Sequence, residues 1–249
     1  MAPASPSTTT SPLPTVPGIK NIVLVHGALA DGSSWAKIIP LLQASGYHVT
    51  AVQNPLTSLA DDVASTTRAL ARQDGPVLLV GHSWAGMVIT EAGDHPQVAG
   101  LAYIAAYVPD AGQAMGEVAQ QGPAPAGGQN MRPDAAGFLT STPEGVVADL
   151  GFDLTPTEQQ VFIATQQPLA AAATMEKVRV AAWQTKPSWY LIARDDRTIN
   201  PELQRAMADK INAETHLAPG SHLLVLSQPE AVAAFIQEAA QKAGAQHKS

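Results

Sequence analysis

Four consecutive aliphatic residues, Val77-Leu78-Leu79-Val80, run directly into Gly81-His82-Ser83-Trp84-Ala85-Gly86-Met87. The aliphatic run predicts a strand buried on both faces, as inner strands of parallel sheets are. Residues 87–92 predict a buried helix. A strand that turns this sharply into a helix leaves one residue at the apex in a strained backbone conformation. The residues two before and two after the apex crowd each other, so both must be small. Gly81 and Ala85 meet that need around Ser83. The Ser83 hydroxyl is then expected above the sheet, with the Trp84 amide facing any negative charge that develops there. The plainer alternative is a serine that caps a helix after a strand.

Strands and helices alternate on both sides of this turn. Further strands are predicted at 22–26, 47–52, within 98–108, at 189–193 and at 214–217. Trp35, Ile38, Ile39 and Leu42 recur at helical spacing, and so do Leu59, Val63, Thr66 and Leu70. A helix over 201–210 carries Pro201 in its first turn, and a last helix over 229–242 places Val232, Phe235, Ile236 and Ala239 on one face. This alternation predicts an α/β fold: a mostly parallel sheet with helices on both faces. Such sheets bind ligands beyond the carboxyl ends of their strands, where Ser83 is expected.

The segment 110–186 breaks the alternation between two core stretches, 19–109 and 187–245. Residues 110–137 read as loop. Thr142-Pro143-Glu144 opens a short helix, and Thr155-Pro156-Thr157-Glu158 opens another with capping-box spacing. Residues 169–183 read as an alanine-rich helix with Met175, Val178 and Ala182 on one side. The whole is expected to be a helical cap insertion over the carboxyl edge of the sheet. A separate small domain would be too short to hold its own core. Residues 1–18, rich in Ser, Thr and Pro, read as a disordered arm without the apolar region of a signal peptide. As written the chain reads as cytoplasmic, or as the mature form of an exported protein, so the compartment stays open.

Composition removes several classes of chemistry. No cysteine is present, which excludes disulfides, thiol catalysis and thiolate metal sites. The net charge is −7 and no cluster of Lys or Arg occurs, against nucleic acid or an anionic membrane as partner. No run of apolar residues is long enough to predict a membrane span. No phosphate-cradling glycine motif and no pair of histidines at helix-face spacing occurs, so neither a cofactor nor a metal is expected.

A serine hydroxyl needs a base in contact to act as a nucleophile at neutral pH. Of the seven histidines, His222 in Ala218-Pro219-Gly220-Ser221-His222 has the fitting place, a loop after the last strand and before the last helix. The base needs an orienting carboxylate. Asp196 follows the strand at 189–193 on the same edge; Asp195 is its neighbour and rival, and Asp110 after the strand within 98–108 is a more remote one.

His26-Gly27-Ala28, Gly81-His82-Ser83-Trp84-Ala85-Gly86, Asp195-Asp196-Arg197 and Gly220-Ser221-His222 together resemble the α/β-hydrolase superfamily over about residues 20 to 243. Ala85 stands where the G-x-S-x-G pattern has its second glycine. His26-Gly27-Ala28 followed by Gly32-Ser33-Ser34-Trp35 resembles the small esterases that include plant methylesterases, hydroxynitrile lyases and bacterial relatives. The resemblance implies a triad of Ser83, His222 and Asp196, and an oxyanion hole from the amides of Ala28 and Trp84. It implies hydrolysis of small to medium acyl or aryl esters through an acyl-enzyme, with His26, Leu29, Trp84 and Tyr107 at the substrate. Trp35, Phe138, Phe162 and Trp183 are further aromatic residues for pocket or core. Alternatives on the same triad are a hydroxynitrile-lyase-like enzyme, which would want a lysine such as Lys177 or Lys186 nearby, and a cofactor-free haloperoxidase. A ligand-binding protein without turnover is the reading from another class. The expected partner is a small-molecule ester, and the expected state is monomer or homodimer.

Overall fold

A computed structural model describes residues 18–246, so the arm expected at 1–18 lies outside the described residues but for Gly18. In chain order, β1 (Asn21–Val25) leads through a 3-10 turn, Gly32–Trp35, into α1 (Ile38–Ala44). Then come β2 (His48–Ala51), α2 (Leu59–Leu70), β3 (Val77–His82), α3 (Ala85–Ala92) and β4 (Val98–Ile104). The insertion carries α4 (Met115–Ala119), β5 (Met131–Pro133), β6 (Phe138–Ser141), α5 (Pro143–Gly145), α6 (Pro156–Thr165) and β7 (Leu169–Ala170). The chain closes with β8 (Ser188–Ala193), α7 (Pro201–Lys210), β9 (Glu214–Ala218), α8 (Leu224–Ser227) and α9 (Pro229–Gln246).

Six strands form one parallel sheet in the order β2-β1-β3-β4-β8-β9. The period of two along each strand divides its side chains between two cores. Leu78 and Val80 of β3 join Ile22 and Leu24 of β1 against Trp35, Leu42 and the α9 residues Val232, Phe235 and Ile236. Val77 and Leu79 join Val23 and Val25 against Leu59 and Val63 of α2 and Val88 and Ile89 of α3. All four aliphatic residues of β3 are fully buried, worth about 2 kcal/mol each. Among the described residues, no helix is long and apolar enough to cross a membrane.

The insertion departs from its expected form. It has helical turns at α5 and α6, the latter with a capping box in which Thr155 and Glu158 each bond the other's backbone N–H. It also has α4 where only loop was expected, and an antiparallel sheet in the order β5-β6-β7. The single helix expected at 169–183 does not form. β7 pairs with β6, and two 3-10 turns, Ala171–Met175 and Ala182–Gln184, follow it. Alanine favours helix only weakly, and partners elsewhere in the fold compete for the same backbone groups. The Ala170 amide donates to Leu56, the Ala171 amide to Gly137 and the Val178 amide to Gln113. Met175, expected on an apolar face, is exposed.

Candidate active site

Ser83 sits at the turn from β3 into α3 with φ +56°, in the left-handed region that a non-glycine residue enters at a cost of about 1–3 kcal/mol. Backbone bonds on both sides hold it there. Its N–H donates to Ile104 at 3.2 Å, and its carbonyl accepts from Gly86 at 3.0 Å and Tyr107 at 3.3 Å. Gly81 is needed because a Cβ there would lie 2.9 Å from the Ala85 carbonyl oxygen. The tightest position is Gly86, where a Cβ would come within 2.0 Å of the Tyr107 carbonyl oxygen. The demand for no side chain therefore falls one residue beyond Ala85, which explains why alanine is tolerated in the motif.

The loop after β9 brings His222 to this apex. Its Nε2 lies 2.8 Å from Ser83 Oγ, and its Nδ1 lies 2.7 Å from Asp196 Oδ2. A carboxylate only accepts, so Nδ1 carries the proton and the Nε2 lone pair is left for the Ser83 hydroxyl. Asp196 is buried, and every acceptor direction is used. Oδ1 accepts from the Thr198 and Ile199 amides at 2.7 and 3.0 Å; Oδ2 accepts from Gln204 Nε2 at 2.8 Å as well as from His222. The rival carboxylates face elsewhere. Asp195 pairs with Arg194, which holds its carboxyl below the usual range, and accepts from the Gly220 amide. Asp110 pairs with Lys210 at 3.4 Å.

Residues that sequence reasoning passed over support this arrangement. His82 Nε2 donates to the His222 carbonyl at 2.9 Å, and burial followed by the nearby His222 ring pushes the His82 ring down to about 3. It is therefore neutral and places no positive charge beside His222. Asp153 accepts from the Ser221 amide and holds the same loop. Gln204 was legible in principle. Leu203, Gln204, Met207 and Ala208 recur at helical spacing, which turns a polar side chain toward the buried side of α7.

The amides of Ala28 and Trp84 donate to no protein acceptor among the described residues. Both residues line a cavity of about 220 Å³ that holds Ser83 and His222. Leu29 and Tyr107 also line it, together with Met131, Leu150 and Phe162 from the insertion. Burial and the Asp196 charge raise the Tyr107 phenol, which stays protonated. No Asp, Glu, Lys or Arg side chain is among the described residues of the wall. His26, expected at the substrate, is corrected to a place behind the wall. It is fully buried, its Nδ1 bonds the Gly27 carbonyl, and its Nε2 accepts from the Asn54 amide, so it holds the Gly27 loop instead. Of the other aromatic residues, Trp35 is core and Trp183 Nε1 donates to Pro109. Lys177 pairs with Glu117 and, like Lys186, lies off the cavity.

Among the described residues one group, Glu214, His216 and Glu238, brings three metal-ligating side chains together at the β9 edge of the sheet. The Lys242 ammonium already pairs with both glutamates, so the charge a cation would need is taken.

The chain matches the model of the alpha/beta hydrolase family over residues 22–235. It is 26% identical to salicylic acid-binding protein 2 of Nicotiana tabacum, over 90% of this chain and 98% of that one. It is 29% identical to a pyrethroid hydrolase of Sphingobium wenxiniae, over 88% of this chain and 87% of that one. The crystal structure of polyneuridine aldehyde esterase superposes with a TM-score of 0.73 at 18% identity, over 88% of this chain and 98% of that one, a likeness of fold. The chain belongs to the alpha/beta hydrolase family.

Proposed function

We propose that this protein is a serine hydrolase that cleaves neutral carboxylic esters with an apolar acyl or aryl group. The observation that carries the reading is the line Ser83 Oγ–His222 Nε2 and His222 Nδ1–Asp196 Oδ2, at 2.8 and 2.7 Å, opening on a cavity without a charged wall residue. Ser83 attacks the ester carbonyl while His222 Nε2 takes its proton. The carbonyl oxygen, now negative, receives the amides of Ala28 and Trp84; each such donor is worth about 3 kcal/mol to the transition state. His222 passes its proton to the leaving alcohol, and water repeats the sequence on the acyl-enzyme. Asp196 keeps the ring in its tautomer and stabilises the imidazolium.

Relatives named as methylesterases and as a pyrethroid hydrolase support ester bonds as the target. The lyase reading loses its lysine, since neither Lys177 nor Lys186 reaches the cavity. The name of the tobacco relative favours one second reading, binding of an aromatic ligand without turnover. A screen of 4-nitrophenyl esters of rising acyl length, with aryl and methyl esters alongside, decides between them. Turnover together with phosphonate labelling of Ser83 supports the hydrolase. Tight ligand binding with no turnover and no labelling would replace it with the binding protein.

A further inference from the structure

Beside the elbow lies a buried carboxylate that the reaction leaves unused. Asp62, in the first turn of α2, is fully buried. Its Oδ2 accepts from the Trp84 indole Nε1 at 2.8 Å, and its Oδ1 accepts from the Leu56 amide at 2.9 Å. Leu56 is itself left-handed, with φ +57°, and its carbonyl accepts from Ala170 of β7 at 2.9 Å. Two residues earlier, the Asn54 carbonyl accepts from Gln167, and the Asn54 amide donates to His26 behind the Gly27 loop. A chain of bonds thus runs from the insertion, through residues 54–56 and Asp62, to the residue that follows the nucleophile.

We infer that Asp62 is a positioning residue for the oxyanion hole, holding Trp84 by its indole so that the Trp84 amide stays aimed at the carbonyl oxygen, with the insertion docked by the same link. This rests on the serine hydrolase reading above. An oxyanion hole works because its donors are fixed before charge develops, so a loosened Trp84 loses transition-state binding while substrate binding is retained. A carboxylate that merely satisfied a buried indole would affect folding and leave turnover alone.

The link also carries a pH dependence. Burial pushes the Asp62 carboxyl up to about 6, and the negative charges of Asp61 on its own helix and Glu176 from the insertion add to that; the Trp84 and Leu56 donors oppose it. A protonated carboxyl has turned one oxygen into a hydroxyl, a donor and a weaker acceptor, so it holds the two N–H groups less firmly than the carboxylate does. Asparagine has the same shape and no charge, and its NH2 group only donates. Asp62→Asn therefore removes the carboxylate link at every pH.

The experiment compares wild type, Asp62→Asn, Trp84→Phe and the double variant on 4-nitrophenyl butyrate from pH 5 to 8, with thermal unfolding followed in parallel. At pH 8, Asp62→Asn is expected to lower kcat by roughly 10- to 100-fold with KM little changed, part of the cost of losing one oxyanion donor outright. The ratio of wild-type to Asp62→Asn kcat should fall toward one as pH drops through about 6, because the two chains differ only at this carboxyl and every other ionisation cancels in the ratio. Trp84→Phe removes the donor and leaves the carboxylate, so it covers the case in which Asp62→Asn fails to fold; it should lower kcat comparably, and the double variant should add little. A folded Asp62→Asn or Trp84→Phe variant within twofold of wild-type kcat at pH 8, or a ratio constant over pH 5–8, overturns the positioning role. Wild type without turnover or phosphonate labelling would instead remove the hydrolase reading on which it rests.

Discussion

Replacing Asp196 by asparagine exchanges one carboxylate oxygen for an NH2 group, and the surroundings decide which one. Oδ1 accepts from two backbone amides, Thr198 and Ile199, which cannot turn away. The asparagine oxygen must stay with them, so the NH2 group faces His222 Nδ1 and Gln204 Nε2, both donors. His222 escapes the clash by moving its proton to Nε2. It then points N–H at Ser83 Oγ and has no lone pair to take the serine proton. A triad aspartate changed in this way in another serine hydrolase lowers kcat by about 10⁴, or about 5 kcal/mol of barrier. The same loss is expected here, measured as kcat on a 4-nitrophenyl ester with circular dichroism to show a folded chain. Asp195→Asn is the paired control: that carboxylate is partly exposed, bonds Arg194 and the Gly220 amide, and should cost no more than a few-fold. A folded Asp196→Asn variant within tenfold of wild type would refute the tautomer argument. Equal small losses in both would send the search for the acid to Asp110.

Ser83→Ala should lower ester turnover by several powers of ten without loss of folding, and a phosphonate that labels wild type should leave the variant unlabelled; near-full activity would end the serine mechanism. Gly86→Ala should destabilise by about 2 kcal/mol and lower Tm by about 4–8 °C, because its Cβ would meet the Tyr107 carbonyl at 2.0 Å, whereas Ala85→Gly should fold and remain active. Unfolding experiments will show the Asp62 carboxyl as well. It sits at about 6 in the folded chain and near 3.8 when unfolded, so the unfolded chain releases its proton first. Stability contributed by this group falls as pH rises from about 4 to 6, by up to about 3 kcal/mol, and is level above. Asp62→Asn should lack that component, and a wild-type-minus-variant difference that is flat with pH would contradict it. Incubation with a chelator should leave ester turnover unchanged, and full loss would replace the serine mechanism with a metal-bound water.

The core and the elbow were legible in the amino-acid order because they depend on local signals. Val77 to Val80 has no polar residue and runs into a tight turn, which suits an inner strand, and Gly81 and Ala85 around Ser83 carry the demand of that turn in their sizes; that Gly86 is the strictest position came only from the structure. The order Ser83, Asp196, His222 places all three at carboxyl ends of strands once the sheet is parallel. Which oxygen of which carboxylate faces the histidine is different in kind. Asp195 and Asp196 are adjacent and chemically identical, and only the path of the chain from β8 into α7 turns one toward His222 and the other toward Arg194. The alanine-rich residues 169–183 misled for a related reason: helix propensity is a local preference of tenths of a kcal/mol per residue, and the hydrogen-bond partners at Leu56, Gly137 and Gln113 lie far away in sequence. His26 went behind the cavity wall because the Asn54 amide, 28 residues on, claims its ring. Amino-acid order alone determined the α/β sheet and marked Ser83 and His222 as candidates, since buried runs, a tight turn and a loop at a strand end are local signals. Tertiary structure alone decided which carboxylate faces His222, the form of the insertion and the Asp62–Trp84 link, since each is a choice between equal local chemistries settled by what packs against them.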